Sequence, residues 1–134
     1  MDLSLLTVNE LSEFYGVSLH IIYHMIERKQ LTYIKFNRLV RFHLQSFQIM
    51  NDRLVSVRMY KKTLRVLYSN LLSDYKDWVP MREFAEILNI SISSAKRIIK
   101  AENIKKEVLH DTEKVLLYKR DLINLLVNKT VTAK

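Results

Sequence analysis

The chain has 134 residues, a formal net charge of +8 from 22 Lys+Arg against 14 Asp+Glu, and 49% hydrophobic side chains, enough for one domain or two very small ones around a buried core. Zero cysteines exclude a disulfide scaffold, a thiolate zinc site and a cysteine nucleophile, and one glycine with one proline leaves little room for the Gly-rich phosphate loops of nucleotide-binding enzymes. No apolar run reaches the roughly 18 residues of a membrane helix, and MDLSLL carries neither a basic n-region nor a signal core, so a cytoplasmic protein without a membrane partner is the expectation.

In chain order, Thr7-Val8-Asn9-Glu10 forms a capping box that opens a helix to about Tyr15. Gly16 makes a tight turn, Ser18 caps a second helix, and Val17, Ile22, Met25 and Ile26 form its inner stripe. The period then moves toward 2: Leu31–Phe36 and Leu39–Phe42 flank Asn37-Arg38 as a β-hairpin, with Asn accepting the positive φ of a two-residue loop. Spacings of three and four through Phe47, Met50, Leu54, Val57, Lys61, Leu64, Tyr68, Leu71 and Tyr75 predict a connecting helix over 50–76. It either packs on the core or pairs with a second copy as a homodimer zipper. Pro80 opens another helix, Asn89 turns it, and Ser91 caps the next, whose inward residues are Ile90, Ala95, Ile98 and Ile99. A second hairpin follows in Ile104–Leu109 and Val115–Tyr118, and residues 128–134 form a frayed tail.

At an offset of 73 the chain matches itself: Leu11 to Leu19 lies over Phe84 to Ile92, apolar on apolar and Ser18 on Ser91. Gly16 falls on Asn89, and these are the two residue types that best tolerate a left-handed turn. Helix, sharp turn, helix is the helix-turn-helix signature, and the hairpin after it is a wing. The expected fold is therefore α+β: a first winged helix-turn-helix over 1–49, the connecting helix, and a second winged unit over 77–127. A pseudo-twofold would relate the units, so that a monomer acts as an internal dimer.

The run Leu6-Thr7-Val8, Gly16-Val17-Ser18, Ile22-Tyr23, Leu31 through Ile34-Lys35 and Arg41-Phe42 resembles the excisionase-type, MerR-like winged helix-turn-helix family. The resemblance covers residues 5–49 well and 78–126 more loosely. Its duplicated layout on a small basic chain is similar to accessory DNA-binding proteins of mobile elements, such as the TraN-type transfer proteins of Gram-positive conjugative plasmids. It implies binding to double-stranded DNA, no enzyme activity and no cofactor, with excision, transcription control or plasmid transfer as the process served. His20, Ile21 and His24 depart from the family, whose members often carry polar or arginine side chains there.

Subtracting the inner stripes leaves His20, Ile21, Tyr23, His24 and Arg28 on the first recognition helix, and Ser93, Ser94, Lys96, Arg97 and Lys100 on the second. Of these, Arg97, His20 and Ser93 are placed to reach base edges, and the Tyr, Lys and Arg side chains suit phosphates. On the wings, Lys35, Asn37, Arg38 and Arg41, and His110 and Lys114, would straddle backbone or minor groove. The bland alternative for each is a solvated surface. His20 and His24 have a chelating i, i+4 spacing, but no cysteine or nearby third ligand joins them, so no metal site is expected. From another class, a protein-interaction module would use a wing or the central helix and carry its positive charge incidentally.

Overall fold

In the computed structural model, which describes residues 5–109 and 114–133, the elements in chain order begin with α1 (Val8–Tyr15), α2 (Leu19–Glu27), β1 (Tyr33–Phe36), β2 (Leu39–Arg41), β3 (Phe47–Met50) and β4 (Arg53–Ser56). They continue with α3 (Lys61–Leu71), β5 (Trp78–Pro80), α4 (Met81–Leu88), α5 (Ile92–Ala101), β6 (Lys106–Leu109), β7 (Lys114–Tyr118), α6 (Lys119–Asn128) and β8 (Thr130–Val131). The architecture is α+β, short helices with small antiparallel sheets. Two compact units make it up: an N-terminal unit of Leu5–Tyr60 with the residues from Lys129 onward, and a C-terminal unit of Lys61–Asn128.

The same backbone devices build the helix pair of each unit. Thr7 Oγ1 accepts the Glu10 N–H at 3.1 Å while Glu10 Oε1 accepts the Thr7 N–H at 3.0 Å, which satisfies two donors orphaned at the start of α1. Gly16 ends α1 at φ 66° and Asn89 ends α4 at φ 57°. The N–H groups of Gly16 and Val17 return to Glu13 and Ser12, and those of Asn89 and Ile90 return to Glu86 and Ala85, closing both turns in the same pattern. Ser18 Oγ accepts the Ile21 N–H at 3.3 Å and Ser91 Oγ accepts the Ser94 N–H at 3.1 Å, opening α2 and α5. With 10 residues against 9, α5 outruns α2. The left-handed residues that follow them, Lys29 and Asn103, therefore fall one position out of the 73-residue register.

Each unit has its own buried interior. In the N-terminal unit Leu11, Ile22, Leu31, Phe42 and Phe47 form one buried cluster, with Val17, Met25 and Ile26 leaning on it. Side chains of this size contribute about 1.5–3 kcal/mol each on burial. In the C-terminal unit α3 packs on α6, and α4 on α5, β5 and β7; Leu64, Tyr68, Phe84, Leu88, Ala95, Ile99 and Leu117 are buried there. The segment entering each helix pair meets the hairpin that follows that pair in the same way. Leu6 and Phe42 exchange two hydrogen bonds of 2.8 Å before α1, and Val79 pairs with Leu117 before α4. Pro80 closes β5 and stands as the residue that caps α4.

Two expectations are corrected. The connecting helix over 50–76 does not exist as one element. Residues 47–56 form the β3–β4 hairpin, which turns at Asn51 and Asp52 with φ of 49° and 64°. Asn and Asp tolerate two successive left-handed residues, and the flanking alternation suits strands as well as the three-four spacing suits a helix. Only Lys61–Leu71 is helical, and its Leu64 and Tyr68 are buried within the C-terminal unit, so the continuous zipper seam is lost.

The expected frayed tail over 128–134 is ordered as far as it is described, to Ala133. Val131 and Thr130 pair with Tyr33 and Ile34, so the N-terminal sheet runs β2-β1-β8. The Ala133 N–H donates to the buried Thr32 Oγ1 at 3.0 Å. That hydroxyl donates in turn to the Val57 carbonyl at 3.3 Å, and Ser46 Oγ donates to the Thr32 carbonyl at 3.0 Å. The β-branched pair Thr130-Val131 suits an added strand, and pairing satisfies an otherwise open edge of β1.

Candidate nucleic-acid interface

On α5, Ala95 and Ile99 point inward, and Ser93, Lys96, Arg97 and Lys100 are exposed. Their spacing of three and four puts these four on one helical face. Ser94 stands apart: it is half-buried, its N–H is held by Ser91 Oγ, and its hydroxyl accepts from Ser91 at 3.0 Å. It belongs to the cap of α5 and not to the basic face.

Lys96 also lines a cleft of about 410 Å³ between α4, α5 and β7, together with Lys114 at the start of β7. Arg82 and Glu83 of α4 share this cleft. The Tyr75 hydroxyl donates to Glu83 Oε2 at 3.4 Å on its wall, and burial together with the Glu83 carboxylate pushes that phenol up, so it stays a neutral donor. Arg82 was missed by sequence reasoning. It sits one residue into α4 without any spacing that marks it, and only the packing of α4 beside β7 brings it near Lys114.

The corresponding face of α2 is of another kind. His20, Ile21, Tyr23, His24 and Arg28 are all exposed, as expected. The His20 and His24 rings stack at 6.0 Å between centroids, and Ile21 and Tyr23 keep 46% and 53% of their surface. Among the described residues no third His, Asp or Glu joins the two histidines as a metal site would need.

The β1–β2 hairpin turns at Asn37, φ 54°, and presents Lys35, Asn37 and Arg38 to solvent. Arg41 does not stand free with them. It is half-buried, its guanidinium donates to the Val40 carbonyl at 2.9 Å, and burial draws its pKa down against the upward pull of Glu10. His110 lies outside the described residues, while Lys114 is exposed beside the α5 cleft.

No family model, curated protein or solved structure matches the chain. The residues themselves carry the functional argument. Among the described residues, no helix is long and apolar enough to cross a membrane.

Proposed function

We propose that this chain is a sequence-specific double-stranded DNA-binding protein without catalysis, built of two winged helix-turn-helix units that act as an internal dimer. The process we assign is accessory DNA binding for a mobile element, in conjugative plasmid transfer or its regulation. Excision and MerR-like transcription control are variants of the same reading, separated by where in a genome the site lies.

The observation that carries the proposal is the combination on α5. A helix fixed by a left-handed turn and a serine cap presents Ser93, Lys96, Arg97 and Lys100 on one exposed face, next to a wing strand that begins with Lys114. A helix of this width fits a major groove, where Arg reads guanine edges and Lys holds phosphates. The net charge of +8 supplies the attraction to a polyanion.

The test is selection from random duplexes followed by footprinting at two salt concentrations, with the mass of the complex from light scattering. A monomer protecting about two helical turns supports the reading, and binding must fall steeply with salt. Equal binding of every duplex, with no selected site, overturns sequence-specific recognition.

A second reading rests on the exposed apolar side chains of the N-terminal unit, Phe14 at 64% and Tyr23 at 53% together with Leu19 and Ile21. Here that unit docks a protein partner through α1 and α2. Absence of duplex binding at low salt alongside a tight protein complex would favour it.

A further inference from the structure

The C-terminal unit holds a second cleft that the reading of α5 leaves unused. Arg65 and Ser69 of α3, Lys76 and Asp77 before β5, and Lys119 and Arg120 at the start of α6 line a space of about 340 Å³. Four cations face one carboxylate there. Lys119 is anchored, its Nζ donating to the Tyr75 carbonyl at 2.7 Å and its backbone N–H to the Asp77 carbonyl at 2.8 Å. The side chains of Arg65, Lys76 and Arg120 are exposed and, among the described residues, make no hydrogen bond or ion pair.

These cations come from three separate segments that only the packing of α3 on α6 gathers. An ordinary solvated helix face mixes its signs at spacings of three and four. Here like charges converge in a concavity, which concentrates their field and costs free energy until an anion enters. Arginine forks bind the paired oxygens of a phosphate, lysine adds a point charge, and the Ser69 hydroxyl adds a neutral donor. The acid in the first turn of α6, Asp121, is engaged elsewhere, accepting the Lys105 N–H at 3.2 Å.

We propose that this cleft binds a phosphate group, held by Arg65, Lys76 and Arg120. The same chemistry has two sources, the backbone of a nucleic acid or a free phosphate-bearing molecule. The position of Tyr75 favours the backbone. Its hydroxyl bonds Glu83 in the α5 cleft and its carbonyl anchors Lys119 of the second cleft, so one residue ties the two basic clefts together.

The experiment titrates inorganic phosphate into the full chain while backbone amides of residues 119–121 are followed by NMR. The Arg65→Gln/Arg120→Gln double variant serves as the comparison, its fold checked by circular dichroism. Saturable shifts in the parent that vanish in the variant are expected. Shifts unchanged in the variant, or a drift spread over all lysines without saturation, overturn the proposal.

A duplex arm then identifies the source. A loss of roughly tenfold on preferred and random duplexes alike, with a salt slope lower by about 1–2, assigns the cleft to backbone phosphate. Duplex affinity left unchanged, with the phosphate response lost, assigns it to a free phosphate-bearing molecule. The Arg97→Ala variant keeps the inference separate from the proposed function. If no duplex binds at all, the reading of α5 fails while the phosphate titration still decides the cleft.

Discussion

The helix pairs α1–α2 and α4–α5 are built by the same caps and the same left-handed turns, yet their outward faces share almost no chemistry. On α5 the face is Ser93, Lys96, Arg97 and Lys100; on α2 it is His20, Ile21, Tyr23 and His24. Caps and inner stripes determine the backbone, and they place no demand on what points the other way. The scaffold can therefore be kept while one face is basic and the other apolar and aromatic, so the two faces can serve different ends. The small sheets beside them differ too. The outer edge of β1 is covered by β8, whereas β6 pairs only with β7 among the described residues.

The largest test of this contrast is acid. His43 is buried in the N-terminal unit and burial pushes its pKa down to about 4. The unfolded chain takes up that proton near the usual 6.5, so between those values the unfolded state binds more protons and stability falls as pH falls. The folded N-terminal unit keeps its full stability above pH 6.5 and loses about 3 kcal/mol by pH 4. The fluorescence of Trp78, the sole tryptophan, reports the C-terminal unit, and amide exchange at Ile22 reports the N-terminal one. Simultaneous loss of both signals would remove the contrast.

Next comes Arg97→Ala, expected to cost about 2 kcal/mol on a preferred duplex and much less on random DNA. Tyr23→Ala should leave that discrimination nearly intact. An equal effect of the two substitutions in a duplex titration would mean that α2 and α5 read bases alike.

Thr32→Val keeps the shape but leaves the Ala133 N–H unsatisfied, and should cost about 1.5 kcal/mol by chemical denaturation. The smallest effects concern the turns. Nothing lies within 4 Å of a Cβ added at Gly16, so Gly16→Ala should cost only the left-handed backbone penalty, about 1 kcal/mol. The exchanges Gly16→Asn and Asn89→Gly should each stay within about 0.5 kcal/mol. A large cost for either would show that the two turns are not interchangeable.

Local signals made much of this fold legible. Thr7 with Glu10, Gly16, Ser18, Asn37, Asn89 and Ser91 each act within a few residues, so their geometry follows from side-chain chemistry alone. The β3–β4 hairpin was misread because Phe47, Met50, Leu54 and Val57 satisfy a helical spacing; the opposing signal, Asn51-Asp52, marks a two-residue turn. Thr130-Val131 has strand character, but nothing local names the partner of β8, since Ala133 meets Thr32 from 101 positions away. The site follows the same division. The α5 face could be found by subtracting the inner stripe, but the convergence of Arg65, Lys76 and Arg120 is a product of tertiary packing.

The return of β8 to β1 has a consequence for how the protein is made. Residues 61–128 form an insertion within the N-terminal unit, whose sheet needs residues 130 and 131 to be complete. Residues 5–60 leave the ribosome before residues 61–128, yet their sheet is finished only after the whole C-terminal unit has been synthesised. Its β1 edge and the Thr32 hydroxyl wait through that interval, exposed to mispairing, and the high sequence separation of the final contact slows its closure. A chain shortened before Thr130 would therefore show its defect at the opposite end of the sequence, around Tyr33 and Ile34.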